Sequence, residues 1–143
     1  MTSLPELKMH QIGEAAARVG LSLRTVRYYE EVGLVRPSGR TEGGFRLYTD
    51  SDIERLALVK QMKPLDFTLE EMRDLLAVRE ALKSEDVSAG RRDQLVERLS
   101  MYASAARERV EALREQLEVV ESFASKLRAE LRTQKRARSG DRR

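Results

Sequence analysis

The 143-residue chain contains no cysteine and no tryptophan, only three prolines, and a single histidine, His10. The lack of cysteine excludes disulfide bonds, thiolate metal sites, iron–sulfur ligation and cysteine redox switching. One histidine cannot form a histidine-based metal site alone, and we expect His10 to lie at the surface just before the first helix. No paired nucleophile and base and no glycine-rich phosphate loop are present. The sequence therefore predicts no catalytic residue, no metal site and no cofactor.

Long apolar runs are also missing. None is long enough to span a bilayer, and the N-terminal residues MTSLPELK form no apolar signal segment, so we expect a cytoplasmic protein without membrane contact. Aromatic residues make up 5% and charged residues 36% of the chain, which suits helices with solvated faces better than a thick core. The net charge of +3 is unevenly distributed, because residues 18–46 hold six arginines against three glutamates and residues 132–143 hold six basic residues and one aspartate.

Residues 12–32 predict two short helices joined by a tight turn, a helix-turn-helix. Gly20 fits the left-handed position that ends the first helix, and Ser22 caps a second helix that runs to about Val32. The spacing places Leu23, Val26 and Tyr29 on the inner face of the second helix. Its outward or rim positions are Arg24, Thr25, Arg27 and Tyr28.

A two-stranded wing is predicted after Gly33, where the second helix ends. Glycine permits the positive φ of a tight hairpin at Glu42-Gly43-Gly44. Arg40, Arg46 and Tyr48 flank this turn. Guanidinium groups and phenol hydroxyls thus recur on two adjacent small elements, an arrangement that suits gripping a phosphate backbone while one helix enters the major groove.

Two further helices each begin with a capping box. Thr49 and Asp52 start the third helix, Pro64 stops it, and Thr68 with Glu71 starts the fourth. We expect a winged helix-turn-helix domain of four helices and a two-stranded wing over residues 9–80.

The remaining residues predict a linker over 81–91, a long helix over 92–131 and a basic, disordered tail over 132–143. The apolar positions of the long helix alternate steps of four and three, with two consecutive fours around Ala106, which is a heptad seam with one stutter. A single helix of this length needs a partner to cover its seam, so we expect a homodimer. The seam positions are Leu95, Leu99, Tyr102, Ala106, Val110, Leu113, Leu117, Val120, Ala124, Leu127 and Leu131.

The run TVRYYEEVGLV, followed by RTEGGFRLY, resembles the N-terminal domain of MerR-type transcriptional regulators over roughly residues 9–80. The resemblance implies a mainly α, winged helix-turn-helix homodimer joined by an antiparallel dimerisation helix. Such a protein would bind an inverted repeat in double-stranded promoter DNA and distort it so that the RNA polymerase holoenzyme engages. The residues that match the family's DNA-contacting positions are Arg24, Arg27, Tyr28, Tyr29, Arg46, Tyr48 and Lys60. Their positions on the second helix and the wing add Thr25 and Arg40 to the predicted DNA-contacting residues.

This chain departs from the family pattern at two positions. Phe45 stands where the family commonly has tyrosine, which removes a possible hydroxyl contact. Asp66 stands where a glycine usually follows the third helix, and aspartate accepts a left-handed conformation less readily. The angle between the third and fourth helices is therefore open.

Several alternatives remain for function. The family's metal and oxidant sensors use cysteines, which this chain lacks, so neither sensing mode transfers and any small-molecule effector is unknown. An effector-independent architectural DNA-binding protein and a sensor with a pocket between the fourth helix, the linker and the coiled coil are both compatible with the residues. The basic tail is either a solvated end or a secondary DNA anchor. Activation and repression are not distinguished.

Overall fold

The structure, a computed structural model, describes residues 8–141. The chain divides into two units after Ser100, a boundary that falls inside the last helix. Within residues 8–141, no helix combines the length and apolar character that a membrane span needs. The elements are β1 (Met9–Gln11), α1 (Ile12–Val19), α2 (Leu23–Glu31), β2 (Gly39–Arg40), β3 (Arg46–Thr49), α3 (Asp50–Met62), a 3₁₀ turn (Lys63–Leu65), α4 (Leu69–Leu82) and α5 (Ala89–Gly140).

The helix-turn-helix forms as the sequence predicts. Gly20 adopts a left-handed conformation with φ of 68° and donates its N–H to the last carbonyls of α1. Val26 and Tyr29 are buried on the inner face of α2, as expected. Leu23 is exposed, so its predicted inward position was wrong. It is the first residue of α2, so it lies at the exposed end of the helix although it shares a face with Val26.

The wing belongs to a three-stranded antiparallel sheet of order β1-β3-β2, so the two-stranded prediction was incomplete. The additional strand, β1, pairs His10 with Tyr48. A strand of three residues carries too little alternation to be recognised from sequence alone.

His10 is buried, so its predicted surface position was wrong. Its Nδ1 lies 3.1 Å from a Glu14 carboxylate oxygen and its Nε2 lies 2.8 Å from Asp50 Oδ1. Arg18 pairs with the same two carboxylates. The hydrogen bond with His10 is the main cause that lowers the pKa of both Glu14 and Asp50 below their ordinary values. These contacts join β1 and α1 to the first turn of α3.

Both predicted capping boxes are present. Thr49 and Asp52 exchange side-chain and backbone hydrogen bonds at the start of α3, and Thr68 and Glu71 do so at the start of α4. After the 3₁₀ turn that contains Pro64, Asp66 takes the left-handed conformation with φ of 60°. A non-glycine residue therefore occupies the conformation for which the family pattern supplies glycine.

The first turns of α5 pack onto the N-terminal unit. Leu95 is 1% exposed, Arg98 forms an ion pair with Asp74 of α4, and Arg92 donates to the Ser84 carbonyl at 3.0 Å. Helix α4 extends to Leu82 and α5 begins at Ala89, so the connection is shorter than the predicted linker. Leu95 therefore belongs to the core of this unit.

The C-terminal unit, residues 101–141, is helical up to Gly140. The predicted tail of 132–143 thus differs from the structure, in which α5 continues through most of it; residues 142 and 143 lie outside the described residues. Arginine, lysine, alanine and glutamine in this stretch are good helix formers, which explains the extension. The exposed large apolar residues of this unit are Met101, Val110, Leu113, Leu117, Val119, Val120, Phe123, Leu127 and Leu131.

Candidate nucleic-acid interface

Helix α2 presents one polar stripe to solvent. Its start is fixed by Ser22, whose Oγ accepts the Thr25 N–H at 3.1 Å. Arg24, Arg27 and Tyr28 are all exposed, and Tyr28 is 46% exposed. Residues three and four apart share a helix face, so two guanidinium groups and one phenol lie close together on α2.

Thr25 lies on the rim of this stripe. It is half-buried, and its hydroxyl oxygen is 2.9 Å from Ser22 Oγ. The Thr25 hydroxyl therefore already takes part in the helix cap. The sequence-based interpretation of Thr25 as a DNA-contacting residue did not include this contact with Ser22.

Lys60 of α3 contacts the end of the first helix of the helix-turn-helix. Its ammonium group donates to the Val19 carbonyl at 2.9 Å, at the carboxyl end of α1. A cation at this position offsets the negative end of the helix dipole. Lys60 thus has a structural contact within the chain as well as an exposed side chain.

The wing turn is built from Thr41 to Phe45. Thr41 donates its N–H to the Phe45 carbonyl at 2.8 Å, and Gly44 has φ of 84°, which requires the conformational freedom of glycine. Phe45 is 65% exposed. The tip of the wing therefore carries an apolar ring that solvent reaches.

Both wing arginines bind the same acidic residue of α2. Arg46 donates from Nε to one carboxylate oxygen of Glu30, and Arg40 donates from Nη2 to the other at 3.1 Å. The hydrogen bond with Glu30 is also the main cause that raises the pKa of Arg46 above its ordinary value. The structure thus brings the recognition helix and the wing cations together.

Sequence reasoning missed Glu30 as a functional residue. A carboxylate among cations on α2 was the available signal, but its contact with the wing spans 16 residues along the chain. Only the fold places Glu30 against Arg46.

Two of the predicted contact residues are buried. Tyr48 is 0% exposed and Tyr29 is 3% exposed, and burial raises the pKa of both phenols. Neither hydroxyl oxygen has a hydrogen-bond partner among residues 8–141. Their aromatic rings fill the core behind α2 and the wing, so the structure does not place these hydroxyls at the surface.

Tyr48→Phe should therefore leave DNA affinity within about twofold of the wild-type value. An exposed tyrosine supplies the matched control, since Tyr28→Phe removes a hydroxyl from the α2 stripe and is expected to weaken binding roughly threefold to tenfold. Fluorescence anisotropy with a labelled duplex measures both. A tenfold loss with Tyr48→Phe would mean that this side chain turns outward on DNA.

The fold and the cationic surface together define a winged helix-turn-helix protein. Residues 11–78 match the family model described as MerR HTH family regulatory protein. Residues 11–78 therefore form a MerR-type helix-turn-helix domain.

Similar proteins agree with this assignment. The chain is 45% identical over 71 residues to the HTH-type transcriptional regulator ZntR of Escherichia coli K12, a match over 50% of each chain. It is 44% identical over 80 residues to the HTH-type transcriptional regulator CueR of Yersinia pestis, over 54% of this chain and 58% of that one. The match thus spans about half the length of these curated relatives.

A solved structure extends the comparison beyond the N-terminal domain. A MerR family transcriptional regulator of Bacillus cereus matches with a TM-score of 0.58 at 25% identity, over 82% of this chain and 76% of that chain. The likeness of fold thus includes much of α5.

Proposed function

We propose that this protein is a sequence-specific transcriptional regulator that binds promoter DNA as a homodimer. The observation that carries the proposal is the exposed stripe of Arg24, Arg27 and Tyr28 on the recognition helix of a MerR-family domain. The named relatives described as transcriptional regulators support it. Recognition helix α2 would enter the major groove while the wing contacts the backbone.

The apolar seam of α5 supports the homodimer. Seven seam residues of the C-terminal unit are exposed. A helix with an exposed heptad seam gains stability by packing against an equivalent helix. By resemblance to the family, we propose antiparallel order for the pair. The residues that we assign to the dimer contact are Leu99, Tyr102, Val110, Leu113, Leu117, Val120 and Leu127, of which Leu99 and Tyr102 are half-buried and the other five exposed.

Two such domains joined by one dimerisation element require an operator with two half-sites related by the protein's two-fold axis. We propose that the dimer distorts the DNA between them, so that part of its specificity arises from the deformability of base pairs that it does not touch. RNA polymerase would then engage the realigned promoter. With these partners we propose a cytoplasmic protein that has a binding role instead of a catalytic one.

Selection of bound sequences from a random duplex pool at moderate salt tests the proposal. We expect one enriched inverted repeat of fixed spacing. Enrichment of a single half-site would contradict the dimeric arrangement. Uniform binding without any motif would favour the effector-independent architectural alternative, because phosphate contacts fix orientation and carry no sequence information.

Arg24→Ala should relax the base preference at one position of each half-site, costing about 1–3 kcal/mol there. Arg24 occupies the first turn of α2, the part of a recognition helix that usually meets base edges. Arg46→Ala is the comparison variant, and it should weaken binding to all sequences and reduce the salt slope by about one. Binding curves for operators substituted at single positions measure both effects. An equal loss on every sequence with Arg24→Ala would rule out base reading by Arg24.

A further inference from the structure

We propose that Glu30 is a positioning residue that holds both wing arginines against the recognition helix and orients Arg46 toward the DNA backbone. The proposal rests on the proposed function, since it concerns how the wing meets DNA. It assigns different roles to the two wing arginines.

The register of the wing places two arginines opposite each other, and Glu30 contacts both of them. Arg40 and Arg46 are direct partners in the β2–β3 pair. Like charges directly opposite each other destabilise a strand pair. Glu30 supplies one carboxylate oxygen to each guanidinium, which offsets the repulsion and leaves the three side chains with a net charge of +1.

Arg40 and Arg46 use different nitrogen atoms for their hydrogen bonds, and this difference indicates different roles. Arg46 binds Glu30 through Nε, and within residues 8–141 it makes no other side-chain hydrogen bond. Its two Nη groups thus remain available as a fork for a phosphate. Arg40 instead uses Nη2 on Glu30 and Nη1 on the Gly44 carbonyl at 3.0 Å. Arg40 therefore ties the wing turn to α2, and Arg46 presents its fork.

The low exposure of Glu30 and Arg46 agrees with a stable contact between them. The side chain of Glu30 is 21% exposed and that of Arg46 is 29% exposed, so the pair is partly shielded from water. Shielding strengthens a charge pair relative to one at full exposure. A carboxylate in this position does more than repel DNA, because it determines where the wing cation points.

The rival explanation is that Glu30 is simply a negative charge near the phosphates. On that explanation its removal strengthens DNA binding, whereas loss of a positioning residue weakens it. The neighbouring Glu31 is exposed and carries the same charge at the end of the same helix. Glu31→Gln is therefore a matched control for Glu30→Gln, because both variants change the net charge equally.

The experiment measures the affinity of the full chain for a selected operator and for a random-sequence duplex at the same salt concentration. Comparing Glu30→Gln with Glu31→Gln on the same duplex cancels the general effect of charge, because each variant removes one negative charge. We expect Glu30→Gln to bind both duplexes roughly tenfold more weakly than Glu31→Gln, since glutamine offers one oxygen where two guanidinium groups need two and the phosphate contact of Arg46 is common to all sequences. Glu31→Gln should bind both duplexes at least as tightly as the wild-type protein, because it only removes a negative charge. A Glu30→Gln protein that binds the operator as tightly as Glu31→Gln would overturn the proposal.

A second measurement does not depend on DNA. The Nε–H resonance of Arg46 should show slowed hydrogen exchange in the wild-type protein and in Glu31→Gln, and fast exchange in Glu30→Gln, with all three proteins folded by circular dichroism. Fast exchange in the wild-type protein would overturn the proposal. If the wild-type protein selects no motif, the proposed function fails separately, while this measurement still decides whether Glu30 holds the wing.

Discussion

Replacement of both Leu113 and Leu117 by glutamate is expected to give a monomer that binds an inverted repeat at least about a hundredfold more weakly than the wild-type protein. Both side chains lie on the α5 seam and are exposed in the single chain. Two copies that pack along this seam would place four new carboxylates in an apolar contact. Burial of unpaired charge is strongly unfavourable, so association should fail.

The loss of DNA affinity follows from the loss of bivalency. When one half-site of a dimer is bound, the second binding event is intramolecular, which raises overall affinity by roughly 10²–10⁴ without any new contact. A monomer retains the contacts of one half-site and loses this gain. Sedimentation velocity measures the association state, and anisotropy with the full operator and an isolated half-site measures the affinities.

The control for this double variant places the same charges on the opposite face of α5. Ser104 and Ser122 are exposed and lie about half a helical turn from the seam at 3.6 residues per turn. Ser104→Glu with Ser122→Glu should remain dimeric and bind the operator normally. A dimer that persists with glutamate at Leu113 and Leu117 would mean that another surface joins the subunits.

Features set by neighbouring residues could be predicted from sequence. The capping boxes at Thr49 and Thr68 need only residues three positions apart, and both are present in the structure. The left-handed Gly20 and the cap at Ser22 are equally local. A side-chain oxygen and an N–H within one turn find each other whatever the rest of the chain does.

Features that depend on distant pairing could not be predicted. His10 is buried where β1 pairs with β3, and its hydrogen-bond partner Asp50 lies 40 residues further along the chain. Tyr48 was interpreted as a surface residue beside Arg46, yet it is buried in the part of β3 that pairs with β1. Burial is decided by the partner that tertiary packing supplies, and a short strand gives little sign of that partner.

The candidate interface was predicted only in part. The outward position of Arg24, Arg27 and Tyr28 follows from helical period, since the buried Val26 fixes the opposite face. The link from Glu30 to the wing requires the three-dimensional position of β3 against α2. A sequence pattern therefore identifies which cations are available but not which of them the fold already holds.

Leu95→Ala is expected to lower the free energy of unfolding of the N-terminal unit by about 2–5 kcal/mol. The heptad pattern assigned Leu95 to the dimer seam, but in the structure it is buried within a single chain. The Arg98–Asp74 ion pair, one turn further along α5, holds the same part of the helix to α4. Shortening the side chain of residue 95 to that of alanine therefore leaves a cavity inside the N-terminal unit instead of weakening a contact between subunits.

Chemical denaturation tests this best in the background with glutamate at Leu113 and Leu117, because association then makes no contribution to the measured stability. Val96 is the matched control, since it is adjacent to Leu95 but 51% exposed. Val96→Ala should change the unfolding free energy by no more than about 0.5 kcal/mol. Equal effects of the two substitutions in the monomeric background would show that the start of α5 is not docked. A Leu95→Ala effect confined to the dimer would return this residue to the seam.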